Sequence, residues 1–168
     1  VSGAGRKAAE DYLLCEATES LKAYGISGHR HHPEICQQLS LAASSDVRLT
    51  FIPHLAPMSR GIFATLYASV RDGENVSCDS LQTFFESRYI DEPFIEVLPN
   101  DEVPATRNVR GANNCQISVT YIANTKNIVV FYVIDTLVKS ASGQAVQNMN
   151  LLLGIKETAG LEGIALIP

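Results

Sequence analysis

Cys115-Gln116-Ile117-Ser118-Val119-Thr120-Tyr121-Ile122, followed after five residues by Ile128-Val129-Val130-Phe131-Tyr132-Val133-Ile134-Asp135-Thr136-Leu137, decides the fold. Both runs are rich in β-branched and aromatic side chains, which suit a pleated, packed surface. The link Ala123-Asn124-Thr125-Lys126-Asn127 is short and polar, so the runs are expected to pair as a hairpin. The second run is apolar on both alternating sets, the pattern of a strand buried on both faces.

Upstream, residues 62–70 read as a further strand of the same kind. Residues 47–51, with Val47, Leu49 and Phe51 alternating, read as a strand stopped by Pro53, and residues 94–98 as a short strand ended by Pro99. Helices are expected over 7–21, from Pro33 onward, from Asp79 (as cap) to Tyr89 with Leu81, Phe84 and Phe85 inward, and over 142–153 with Gly154 closing the last one. The order is helix, helix, four strands broken by one helix after the second, a fifth strand, then a helix. Clustered strands favour an α+β layout: a mostly antiparallel mixed sheet with helices on one face. Phe63, Tyr67, Phe131 and Tyr132 supply more aromatic surface than one helix layer covers, so the other face is expected to meet a second copy of the chain.

At 168 residues the chain is long enough for one ordinary domain with a real core. Apolar residues make up 46% and charged ones 18%, as in a water-soluble globular protein, and the net charge of −5 without a basic stripe argues against a nucleic-acid surface. The longest apolar run, 128–134, is far short of a membrane span of ~20 residues. Cysteines 15, 36, 78 and 115 form no C-x-x-C pair, which argues against a zinc or thioredoxin-type motif and for free thiols in a cytosolic setting. The opening Val1-Ser2-Gly3-Ala4-Gly5-Arg6 carries no apolar signal segment and reads as the middle of a glycine-rich motif, so the chain is expected to be a fragment of a longer protein.

The sharpest chemical constellation is His29-Arg30-His31-His32-Pro33-Glu34, three of the four histidines in one loop ending at a helix start. Free N–H groups and partial positive charge at a helix N-terminus disfavour imidazolium. A neutral imidazole can serve as a general base. Three readings stand at this level: acid–base chemistry, a metal site, or a solvated polar loop. The loop 53–61 contains Arg60 and the loop 107–114 contains Arg110; an arginine in a stiff connection can grip a carboxylate or phosphate, or simply be solvated. The final helix is unusually polar at Gln147, Asn148 and Asn150, which fits either helix packing or a ligand contact.

Taken together and in this order, residues 2–6, 29–35, 51–61, 93–99, 108–113, 130–139, 143–154 and 157–161 resemble N-acetyl-gamma-glutamyl-phosphate reductases. The resemblance implies one substrate-binding and dimerisation domain over 1–168, like the C-terminal domain of glyceraldehyde-3-phosphate dehydrogenase-like enzymes. Its last helix, about 142–154, would pack on a nucleotide-binding domain. It implies NADP-dependent reduction of N-acetyl-glutamyl phosphate to the semialdehyde in arginine biosynthesis, in the cytoplasm or a plastid stroma, by a homo-oligomer (dimer or tetramer). It implies His29 as catalytic base, His31 with Arg60 and Arg110 as substrate contacts, Ser2, Gly3, Asn148 and Asn150 near the cofactor, and no resident metal. The family's nucleophile lies in a Gly-Cys-Tyr-Pro-Thr stretch that none of the four cysteines here occupies, so this chain alone is expected to be inactive. The alternatives are a stand-alone dimerisation or ligand-binding module, and half of a related aspartate-semialdehyde dehydrogenase.

Overall fold

The computed structural model describes residues 9–166. The chain divides into two compact units, one reaching to Ser59 and one beginning at Arg60.

In the first unit the expected helix over 7–21 does not form as a whole, and its residues 7 and 8 lie outside the described residues. A 3-10 turn, Glu10–Tyr12, is followed by helix α1, only Leu14–Ala17. Leu13 is extended between them, and Glu19 has φ +57°, a left-handed conformation that a right-handed helix cannot contain. Strand β1 (Lys22–Ala23) pairs antiparallel with β2 (His54–Leu55). Helix α2 (His32–Ala43) starts where Pro33 indicates and stops at Ser44, which is left-handed. The strand expected over 47–51 is absent, because no neighbouring strand offers it a ladder. The alternation is still real: Val47, Leu49 and Phe51 are half-buried while Arg48 and Thr50 are exposed. The segment is held by two side chains of α2. Ser40 Oγ accepts from Val47 N–H (2.9 Å), and His32 Nε2 lies 3.1 Å from the Leu49 carbonyl.

The second unit is built on a four-stranded sheet of β3 (Ile62–Ser69), β4 (Ile95–Val97), β5 (Cys115–Ile122) and β6 (Asn127–Ile134), in the order β3-β6-β5-β4. β5 and β6 pair antiparallel as the expected hairpin, and β3 pairs antiparallel along all of β6, from Ile62↔Ile134 to Ser69↔Asn127. Only β4 is parallel to its neighbour. The link from β4 to β5 runs through residues 98–114 and holds a 3-10 turn (Thr106–Val109), while helix α3 (Cys78–Tyr89) lies between β3 and β4. The cap of α3 is Ser77, two residues before the expected Asp79. Its Oγ accepts from Ser80 N–H while Ser80 Oγ accepts from Ser77 N–H, a reciprocal capping box. α3 buries Leu81 and Gln82, and Gln82 Nε2 donates to the Leu98 carbonyl at 3.0 Å. Phe84, expected inward, is 64% exposed, because Leu81 and Gln82 occupy the sheet-facing side.

Register assigns the faces. Phe63 and Tyr67 share a face with Phe131, Val129 and Val133, and Tyr132 points to the opposite face beside Ala64 and Ile117. The four aromatics thus do not form one surface. Val129, Val133, Ile117 and Val119 are buried at the middle of the sheet, while Ile62, Phe63, Leu66 and Tyr67 on the edge strand β3 stay exposed. After β6, a π-helical turn (Val138–Ser142) leads into helix α4 (Gly143–Leu152), and Gly154, with φ +65°, closes it as expected. Among the described residues, no helix is long and apolar enough to cross a membrane.

Candidate active site

The histidine loop is shaped by two glycines in conformations that side chains resist, Gly25 (φ +61°) and Gly28 (φ +141°). The Gly28 N–H donates to the Gly25 carbonyl, and the His32 N–H to the His29 carbonyl, so the chain turns twice before α2 begins. A Cβ on Gly25 would lie 3.2 Å from Cδ2 of His29, so this glycine lets the backbone pass close under the ring. Three rings surround His29 edge-on: Tyr24 and Phe51 with centroids at 5.5 Å, and His31 at 4.9 Å. His29 and His31 are therefore brought together, as the loop pattern suggested.

Partial desolvation, then the neighbouring His31 and Arg30, push the His29 imidazole below its ordinary value. The ring is neutral near pH 7, as expected, with partial burial as the first cause. Its Nδ1 accepts from the His31 backbone N–H at 3.2 Å. A neutral ring whose Nδ1 accepts carries its proton on Nε2. His32 does something different: its Nε2–H reaches the Leu49 carbonyl, with Cys36 Sγ 3.7 Å away. That tie was not visible in the sequence. A cavity of about 310 Å³ opens here, lined by His29, His32, Ile26, Leu49, Phe51 and Ile52 among others. The metal alternative would need more ligands than this loop offers, and among the described residues no three His, Cys, Asp or Glu side chains gather.

The second unit holds the remaining candidates. Arg60 meets Asp135 fork to fork, Nε to Oδ2 at 2.7 Å and Nη2 to Oδ1 at 2.6 Å. The Asp135 side chain is fully buried and accepts also from Gly111, Leu137 and Val138 N–H, each at 2.8 Å. Burial would raise its pKa, but Arg60 and the three backbone donors outweigh burial and hold it at about 2. Thr136 Oγ1 adds a 2.6 Å bond from Gly61 N–H. Arg60, read as a substrate contact, is thus a tie between the start of β3 and the end of β6. Arg110 is exposed, next to the Gly111 amide that Asp135 holds.

On α4, Asn148 is exposed and its Oδ1 accepts from Gln144 Nε2. Asn150 is 2% exposed, and its Nδ2 donates to the carbonyls of Glu157 and Ala159. It anchors the C-terminal segment and in this arrangement offers a cofactor no contact. Gln147 links Asn113, Lys139 and Glu157 at 2.6–2.9 Å. Sequence reasoning missed this network and Asp135; the one available signal was an aspartate directly ending an apolar strand. Ser2 and Gly3 lie outside the described residues. Burial pushes the Cys115 thiol up to about 11, which argues against it as a nucleophile at neutral pH.

Gly143 opens α4 against this network. A Cβ there would lie 2.3 Å from Asn113 Oδ1 and 2.6 Å from Val138 Cγ1. Gly143→Ala is expected to lower stability by about 1–3 kcal/mol, the usual cost of overpacking. A urea midpoint equal to that of the parent chain would contradict this.

The layout, a mixed four-stranded sheet with a helix between β3 and β4 and a terminal helix closed by Gly154, is that of a semialdehyde-dehydrogenase-type domain. Aspartate semialdehyde dehydrogenase II from Vibrio cholerae superposes with a TM-score of 0.61 at 16% identity, over 74% of this chain and 37% of that one, which speaks for the fold alone. The family model described as semialdehyde dehydrogenase, dimerisation domain, matches residues 1–136, and the chain belongs to that family. It is 58% identical over all 168 residues to the N-acetyl-gamma-glutamyl-phosphate reductase of Pseudomonas putida F1, and 53% over 167 residues to that of Alkalilimnicola ehrlichii. In each case it spans 48% of the relative's length, about half. The resemblance read from the sequence is borne out, as is the α+β class.

Proposed function

We propose that this chain is the substrate-binding and dimerisation part of an NADP-dependent N-acetyl-gamma-glutamyl-phosphate reductase, acting as one functional domain over 1–168. The observation that carries the reading is His29: a neutral imidazole on a cavity wall, oriented by a backbone amide and three rings, in a chain 58% identical to such reductases. In the complete enzyme a cysteine thiolate outside this chain attacks the acyl phosphate and phosphate leaves. The nicotinamide supplies hydride when bound. Exposed Asn148, its amide oriented by Gln144, suits a carboxamide contact with the cofactor.

The role open to His29 without rearrangement is donation. Its Nε2–H is suited to stabilise the oxyanion that develops on the reacting carbonyl. To take the thiol proton as a base, the ring must move its proton to Nδ1 and give up the bond from the His31 amide. His31 and exposed Arg110 are the proposed contacts for the anionic groups of the substrate, and Ser2 and Gly3 stay proposed neighbours of the cofactor. Arg60 and Asn150 are assigned to the scaffold of the second unit.

Two measurements test this reading. The purified 168-residue chain should show no NADPH-dependent turnover above a heat-killed control, whereas the complete protein should reduce N-acetyl-glutamyl phosphate. Exposed Phe63 and Tyr67 on one face of edge strand β3, and Ile62 and Leu66 on the other, leave that strand apolar on both sides, which suits a second copy. Light scattering is therefore expected to give a dimer or tetramer at micromolar concentration, and a clean monomer would count against the dimerisation role.

A further inference from the structure

We propose that the cavity beside His29 is the subsite for the N-acyl group of the substrate, with Ile26 and Ile52 as the residues that select for its methyl. The inference rests on the reductase reading and adds which part of the substrate goes where.

Charge argues first. N-acetyl-glutamyl phosphate, the substrate named by the relatives, carries two anionic groups, a phosphate and an α-carboxylate, and one neutral polar group, the acetamide. No Lys, Arg, Asp or Glu side chain lines this cavity. Its two histidines contribute no paired cation: His29 is held neutral, and His32 is spent on the Leu49 carbonyl. A desolvated anion without a cation is costly, so the phosphate and carboxylate are poor occupants. A neutral amide with a methyl is a good one. Ser27 and Thr50 in its lining carry hydroxyls of the kind that match its N–H and C=O, and Leu49, Phe51, Ile26 and Ile52 line it with apolar residues. At about 310 Å³ the space is at the small end of ligand cavities (~300–1,000 Å³), too small to need more than part of a substrate.

Exposure argues second. Ile26 is 72% exposed and Ile52 46% exposed, yet both border the cavity that holds the only ring-enclosed histidine among the described residues. Ile26 stands in the Gly25–Gly28 turn, where nothing in its own unit buries it. The turn presents a large aliphatic group to the cavity mouth instead of to the core. Its removal therefore leaves the packing of the unit intact, which makes it a clean probe.

The test runs the complete enzyme in the direction of phosphate-dependent aldehyde oxidation, comparing N-acetyl- and N-formyl-glutamate γ-semialdehyde, which differ by one methyl. One methyl in an apolar pocket changes kcat/KM by roughly 10–200-fold. The parent enzyme is expected to prefer the acetyl aldehyde by about 10-fold or more, and Ile26→Ser and Ile52→Ser to bring that ratio to within about 3-fold. An unchanged ratio in both variants, or an equal loss for both aldehydes with a lowered Tm, overturns the subsite and means that these isoleucines are covered by another part of the protein. Turnover of neither aldehyde by the parent enzyme overturns the reductase reading, and the subsite with it.

Discussion

Replacing His29 by alanine in the complete enzyme is expected to lower kcat by roughly 100-fold or more, the usual scale for a positioned proton donor or acceptor. The ring is held by the His31 amide and by Tyr24 and Phe51, so its loss removes the chemistry and not a support. His32→Ala is the control. It frees the Leu49 carbonyl and should cost about 1 kcal/mol of stability while kcat stays near that of the parent. The pH dependence carries a sign. The neutral ring is the active form, and its pKa lies below the ordinary 6.5, so activity should persist below pH 6.5 and fall only as the lowered pKa is crossed. Equal losses of kcat at His29 and His32 would mean that the loop acts through folding. An acidic limb well above pH 6.5 would contradict the partly desolvated setting of the ring.

Asp135→Ala is expected to give the largest loss of stability, about 3–5 kcal/mol, because it leaves the Arg60 guanidinium and three backbone amides facing a buried, empty position. Asp135→Asn should not rescue it, since one carboxamide oxygen replaces two and the NH2 group meets donors. The carboxyl titrates at about 2 in the fold against 3.8 when unperturbed, so its contribution is present above pH 3.8 and is lost as pH falls toward 2. That difference corresponds to about 2–3 kcal/mol. Urea unfolding at a series of pH values checks it: the midpoint of the parent should drop through this window, and that of Asp135→Ala should drop less there. Parallel curves for the two proteins would show that the carboxylate is not the linked group.

The β5–β6 hairpin and strand β3 were legible because a run apolar on both alternating sets has few structures open to it, and the polar link between β5 and β6 left one way to turn. Other elements depended on partners that local pattern does not contain. Residues 47–51 keep the burial alternation of a strand, but a ladder needs a neighbour, and α2 is what lies beside them. The helix expected over 7–21 is broken at Leu13 and ends at Ala17, because Leu13 and Thr18 are extended and Glu19 is left-handed, none of which their residue types announce. At the candidate site, the histidine cluster was visible as a cluster, and the ring cage from Tyr24 and Phe51 was not, since Phe51 reaches His29 from another segment. The Arg60–Asp135 tie was hidden for the same reason: the partners lie 75 residues apart, and an arginine in a loop shows nothing of a buried aspartate until the fold joins them.

The account's central claim is that these 168 residues form the substrate half of an acyl-phosphate reductase whose proton chemistry passes through His29. The most direct test is a single-turnover measurement on the complete enzyme and its His29→Ala variant, mixing enzyme with N-acetyl-glutamyl phosphate and NADPH and following phosphate release and NADPH oxidation together. The account predicts one phosphate released per NADPH oxidised in the parent, with NADPH oxidation slowed by roughly 100-fold or more in the variant. Oxidation of NADPH at the parent rate in His29→Ala, or phosphate release with no aldehyde formed by the parent, would contradict it.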